Sequence, residues 1–176
     1  MLGAEQTTCH PTSRERNNGS MTALRRETTE DLPFLAGLYA ETRKEELDAA
    51  GLTGPIRDAF LRQQFEAMMA GYARSFPSAD QWIIQHEHES AGRLIVNRGL
   101  DEIRLVDIAV LSRFRGLGIG ADVIRRLQER AISDRVPLRL QVFEGSRALR
   151  LYHRLGFVAT GIRGLRVQME WSPDST

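Results

Sequence analysis

Hydrophobic positions change their period several times along the chain, and each change marks an element. Residues 24–27 read as a short strand. Thr28 to Asp31 offer capping oxygens, and Leu32, Leu35, Leu38 and Tyr39 follow at helical spacing, predicting a helix to about Leu47. Pro55 suits the first turn of a second helix, whose apolar face is predicted at Phe60, Leu61, Phe65, Met68, Met69, Tyr72 and Phe76. "SFPSAD" stops it, and the period falls towards two. "QWIIQH" and "AGRLIVNRG" flank the polar "HEHES", which predicts a hairpin. "IRLVDIAVL" is the longest apolar run and the predicted central strand. A glycine-rich stretch leads into a helix through Ile124, Leu127 and Ala131 that stops before Pro137. "LRLQVF" is another strand, and "SRALRLYHRLG" is a helix closed by Gly156. "FVATGIRG" and "LRVQMEW" form a closing pair.

This order predicts one mixed α/β domain without internal repeat or linker. The chain has 176 residues, enough to bury about two thirds of its unfolded surface. Residues 1–20 have no apolar period and read as a disordered leader, with the domain at 21–176. Cys9 and His10 fall in that leader, where neither a metal site nor a reactive thiol is expected. With one cysteine, an intramolecular disulfide framework and a multi-cysteine metal site are excluded. A net charge of +1 gives no reason to expect nucleic acid or an anionic membrane as partner. The N-terminus has no apolar signal region, and no stretch reaches the roughly 18 apolar residues that span a bilayer. A cytoplasmic protein is the expectation.

"RFRGLGIGADVIRRL" (113–127) sets Gly116, Gly118 and Gly120 at alternate positions just before an amphipathic helix. A helix N-terminus offers unpaired N–H groups and partial positive charge, and glycines let backbone approach an anion. Arg113 and Arg115 add charge at the mouth. These features favour a pyrophosphate over a bare turn, although a lone glycine-rich loop is as often structural. A Walker-type loop is excluded, because Gly120 is followed by Ala121 and Asp122. A dinucleotide fingerprint fits poorly: "LSRF" separates strand from loop, and the nearest suitable acid, Glu144, lies late. A coenzyme A pyrophosphate loop remains as the third reading.

"RGLGIG" (115–120) resembles the Arg/Gln-x-x-Gly-x-Gly/Ala signature of the GNAT superfamily of N-acetyltransferases. "LQVFEGSRALRLYHRLGF" (140–157) resembles its second signature, and the spacing of one helix and one strand also fits. The resemblance implies the GNAT fold: a central, largely antiparallel sheet splayed between its fourth and fifth strands, with helices on both faces. Acetyl-CoA would be the co-substrate, with no metal. Its pantetheine would pair with backbone at Ile108, Ala109 and Val110. Its pyrophosphate would sit on the loop of Arg113, Arg115, Gly116, Leu117, Gly118, Ile119 and Gly120. Ser146 stands where the family usually has asparagine, which shortens the reach of that contact.

The chemistry needs a neutral amine, donors for an oxyanion, and a proton for the departing thiolate. The resemblance implies Tyr152 as the proton donor and a backbone N–H near Val110 as the oxyanion donor. Core packing is the competing role for Tyr152, which shares an apolar helix face with Ala148, Leu151 and Leu155. Asp107 is the first candidate base, since a carboxylate in so apolar a strand needs a reason. The alternative is an ion pair with Arg104 or Arg139. Glu102 is the second candidate base. His153 is expected to face solvent, with His86 and His88 in the hairpin. Glu41, Glu45, Glu46 and Asp48 could attract a cationic amine, but interleaved Arg43 and Lys44 favour a self-paired helix face. Trp82 and Trp171 are expected in the core. The expected function is direct acetyl transfer to a small-molecule or peptide amine. The rival is a catalytically idle acyl-CoA-binding sensor of the same fold. The resemblance also allows a homodimer.

Overall fold

The computed structural model describes residues 21–173, so the leader with Cys9 and His10 lies outside the described residues. The elements in chain order are β1 (Thr22–Arg26), α1 (Leu32–Thr42), α2 (Lys44–Ala49), α3 (Gly54–Ser75), β2 (Asp80–His86) and β3 (Glu89–Arg98). They continue as β4 (Ile103–Val110), α4 (Ile119–Asp134), β5 (Leu138–Phe143), α5 (Ala148–Arg154), β6 (Val158–Arg163) and β7 (Arg166–Trp171). The strands form one sheet in the order β1-β2-β3-β4-β5-β7-β6. Every neighbouring pair is antiparallel except β4–β5, which is parallel.

The first helix departs from its predicted length. Its start is fixed by Asp31, which accepts from the Thr28 N–H at 2.8 Å and from both Arg25 Nη atoms at 2.7 and 2.6 Å. Those bonds hold the Asp31 carboxyl down at about 2, against an ordinary value of 3.8. It ends at Thr42 rather than Leu47. The Thr42 hydroxyl donates to the Tyr39 carbonyl at 2.7 Å, and the Arg43 N–H is shared between Tyr39 and Ala40. Such back-bonding bends helices, and residues 44–49 resume as the short α2. In α3, Phe65 is buried while Leu61, Met68 and Met69 pack partly against it. Phe60, predicted on that face, is 40% exposed; it sits one position off the 61–65–68–69–72 stripe.

Two cores result, one on each face of the sheet. α1 and α3 cover one face through Leu35, Tyr39, Phe65 and Ile83. α4 and α5 cover the other, where Ile84, Leu94, Ile124, Leu138, Leu140 and Phe157 are almost wholly buried. Trp82 and Trp171 pack against this second core, as expected.

The feature that shapes the site is the parting of β4 from β5. They pair only at Ile103↔Leu138, Arg104↔Arg139 and Leu105↔Leu140. Beyond Leu105, β4 stays with β3 as far as Gly92↔Val110, and β5 stays with β7 as far as Phe143↔Arg166. The close approach of β3 to β4 requires glycine at 92, since a Cβ there would lie 2.2 Å from the Ala109 carbonyl oxygen. A bulge also falls at the fork: Ile95 faces Asp107 while Val96 faces Leu105, which leaves Val106 as the extra residue. Strict alternation would put Asp107 on the face of Ile103 and Leu105. The bulge instead leaves Ile103, Leu105, Ile108 and Val110 on the α4/α5 core and turns Asp107 to the other side.

Candidate active site

The glycine loop begins where β4 ends. Gly116 (φ 81°) and Gly118 (φ 80°) both take left-handed backbone conformations, so they are glycines for backbone reasons. Gly118 is the N-cap of α4, and no side chain among the described residues caps that end. The first N–H groups of α4, at Ile119, Gly120 and Ala121, have no acceptor within their own helix, which suits an anion. Gly120 has neither constraint: its φ is not left-handed, and a Cβ there would make only an ordinary contact with the Leu151 side chain of α5 at 3.6 Å. Arg115 Nε donates to the Val110 carbonyl at 3.0 Å, which ties the loop to the strand end. Arg113 pairs with Glu89 at 3.0 Å and stacks on Phe114. From α1, the Glu41 carboxylate accepts from the Ser112 N–H, so Glu41 braces this loop instead of attracting an amine.

Beside the loop, the fork between β4 and β5 opens into a cleft of about 410 Å³. Ile108, Ala109, Ser146, Tyr152 and Asp107 all line it. The sequence-predicted catalytic pair is therefore brought to one cavity, Asp107 from β4 and Tyr152 from α5. The predicted pyrophosphate residues 113 and 115–120 lie on the adjoining loop, and Val110 joins the two parts. Leu111 donates its N–H to Ala91 on the β3 side. Strand alternation then turns the Val110 N–H away from β3, towards the fork.

Tyr152 is 5% exposed, with its ring edge-on to Phe157 at 5.6 Å. Burial first, and then the negative charge of Asp107, push its hydroxyl up to about 12. It stays protonated at working pH, as a proton donor must. The core reading of Tyr152 is thus partly correct: the ring packs in the core and the residue also faces the cleft. Asp107 is half-buried, and desolvation raises its carboxyl above the ordinary value. Arg93, the Ile108 N–H and Arg166 oppose that rise.

The expected partners of Asp107 need correction. Arg104 pairs with Glu102 at 2.7 Å, and Arg139 pairs with Glu102 at 2.8 Å and with Glu170 at 2.6 Å. Burial would raise the Glu102 carboxyl, but its bonds to Arg139 and Arg104 outweigh that and hold it low. Glu102 is engaged by both arginines at the closed end of the fork, away from the cleft lining. Ser146 lines the cleft, with its Oγ accepting from the Ala148 N–H at 3.2 Å. At the start of α2, Arg43–Glu46 and Lys44–Asp48 are the expected self-paired charges. His153 is exposed and His88 sits in the hairpin turn. His86 closes β2 with its ring against Phe114 at 5.9 Å. Three lining residues are not evident from the sequence: Arg43 as a wall residue, Arg93 and Arg166. Arg93 carries a signal of the same kind as Asp107, a charge inside the apolar run "AGRLIVN". Among the described residues there is no group of His, Cys, Asp and Glu that could hold a metal ion, and no helix long and apolar enough to cross a membrane.

Comparison with known proteins agrees with this geometry. Residues 77–159 match the family model described as an acetyltransferase (GNAT) domain. The solved structure of PaiA N-acetyltransferase from Thermoplasma acidophilum, in complex with coenzyme A, superimposes with a TM-score of 0.65 at 16% identity. That alignment covers 86% of this chain and 98% of that one. The ribosomal-protein-S18-alanine N-acetyltransferase from Escherichia coli gives 0.56 at 21% identity, covering 86% and 93%. A GNAT family acetyltransferase from Elizabethkingia anophelis, solved with acetyl-CoA bound, gives 0.56 at 15%, covering 86% and 97%. No curated protein sequence matches. The fold is the GNAT fold, and residues 77–159 are similar to a GNAT acetyltransferase domain.

Proposed function

We propose that the protein transfers the acetyl group of acetyl-CoA to a primary amine by direct attack in a ternary complex. The observation that carries this reading is the meeting of Asp107 and Tyr152 in the cleft where β4 and β5 part, beside the uncapped N-terminus of α4. Coenzyme A pyrophosphate on the loop would set the thioester in the fork, with pantetheine along Ile108 to Val110.

Asp107 accepts a proton from the ammonium form of the acceptor, directly or through one water, and leaves a neutral amine. The amine nitrogen attacks the thioester carbonyl carbon, and the Val110 N–H donates to the oxyanion that forms. As the carbon–sulfur bond breaks, Tyr152 O–H protonates the departing thiolate. The second nitrogen proton is released as the amide forms, and the tyrosine is reprotonated from solvent. The sum is an amide, a free thiol and one proton.

The test is thiol release from acetyl-CoA with a panel of amines, read together with mass spectrometry of the products. Acceptor-dependent thiol release with a product heavier by one acetyl group is expected. Tight acetyl-CoA binding without any acetylated product, from small-molecule or peptide amines, would favour the idle sensor instead.

A further inference from the structure

The charges around the cleft are unequal in a way that acetyl transfer alone does not require. Three arginines line it, and each guanidinium rests on an aromatic ring that also lines it. Arg43 lies over Tyr39 at 5.6 Å, Arg93 over Tyr72 at 5.4 Å, and Arg166 over Phe143 at 4.3 Å. Asp107 is the one carboxylate in the lining among the described residues.

Arg93 is 2% exposed, and its hydrogen bonding is poor. Nη1 reaches only the Met69 sulfur at 3.2 Å, and Nε stands 3.6 Å from Glu27. Neither Nε nor Nη2 has a hydrogen-bond partner among the described residues. A buried cation with unmet donors is costly unless something completes it. Arg166, on the exposed lip, forms no ion pair among the described residues. No residue of the glycine loop lines this cavity, so these arginines are separate from the phosphate end of the coenzyme. The rings favour a cation over their faces and so hold positive charge at the cleft wall, where a guanidinium can take a carboxylate.

We propose that Arg93 and Arg166 form an anion subsite for the acceptor, with Arg43, already paired with Glu46, on the wall beside them, so that the substrates are amines that also carry a carboxylate, amino acids foremost. The proposal rests on the acetyltransferase reading. Asp107 then faces the amine of such a substrate while the arginines hold its carboxylate.

The experiment measures thiol release from acetyl-CoA with the common amino acids, their amides, the matching decarboxylated amines and phosphoethanolamine. Acids are expected to exceed their amides by about 10–100-fold in kcat/KM, mainly through KM. Arg93→Met and Arg166→Gln should each bring that ratio towards one. Arg166 is exposed, so its variant keeps the test usable if the Arg93 variant fails to fold. Amides or plain amines used as well as acids, or a ratio unchanged in Arg166→Gln, would end the subsite proposal and leave the transferase standing. Preference for phosphoethanolamine would overturn the carboxylate assignment. If no amine releases thiol, calorimetry with the same amino acids on the CoA-saturated protein decides. Binding weakened by Arg166→Gln keeps the subsite and ends the transferase reading, and no binding ends both.

Discussion

Glu102 and Asp107 lie five residues apart around one strand, yet they are opposites. Glu102 sits where β4 and β5 are still paired, gripped by Arg104 and Arg139 and held below its ordinary value. Asp107 sits past the fork, with no ion pair within 4 Å among the described residues and a carboxyl raised by burial. At the closed end the charges satisfy one another and hold strands together. At the open end they face a cavity and are incompletely matched. Strand pairing, rather than residue type, decides which carboxylate is satisfied within the sheet and which is left facing the cleft.

The contrast is broken most sharply by exchanging the two acids for their amides. Asp107→Asn should lower kcat/KM by about 10²–10⁴-fold, the range for one acid–base group. The wild-type rise of kcat/KM with pH through the Asp107 ionisation should vanish with it. Glu102→Gln should stay within a few-fold of wild type. Equal losses in both variants would erase the distinction. On the adjoining loop, Gly118→Val puts a β-branched residue at φ 80° on the cap of α4. Calorimetry should show coenzyme A affinity reduced at least about tenfold, the scale of one charge-assisted hydrogen bond. Unchanged affinity would remove the pyrophosphate from this loop.

Stability should run the other way from activity. A lowered carboxylate supports the fold above its unfolded value, here 4.5, and that support fades as pH falls through the folded value. Glu102→Gln should therefore cost about 1 kcal/mol at neutral pH and little in acid. A raised carboxylate does the reverse: Asp107 costs stability increasingly as pH climbs from 3.8 through its folded value. Asp107→Asn should raise Tm at neutral pH while lowering turnover. Thermal melts at two pH values check both signs. The smallest effect is expected from starting the chain at Met21, which should leave Tm and coenzyme A binding unchanged. A loss of either would place the domain boundary earlier.

Much of the architecture is legible because hydrophobic period reports which face an element buries, and strands β2 to β7 fall where the period predicts them. The bulge at Val106 is not, since one extra residue leaves no compositional trace. Without it, alternation puts Asp107 under α4 and α5. The end of α1 escapes the pattern because Thr42 bends the helix through one hydroxyl, a local bond that the apolar spacing of Leu35, Leu38 and Tyr39 does not register. In the site, the loop and Tyr152 are legible through sequential motifs. Arg93, Arg166 and the ring beneath each are not, because residues 72, 93, 143 and 166 meet only when four separate elements converge. Glu102 and its arginines show the same limit: proximity in sequence suggests a base, and pairing across strands removes it.

Acetyl transfer in the open fork is the central claim, and the most direct measurement of it is steady-state turnover of Tyr152→Phe. The substitution removes one oxygen and keeps the ring on Phe157. The Tyr152 hydroxyl has no hydrogen-bond partner among the described residues, so its loss should leave Tm and acetyl-CoA affinity near wild type. Turnover should fall by about 10²–10⁴-fold, because the loss falls on the departing thiolate alone. A folded variant that binds acetyl-CoA and turns over within a few-fold of wild type would contradict the claim.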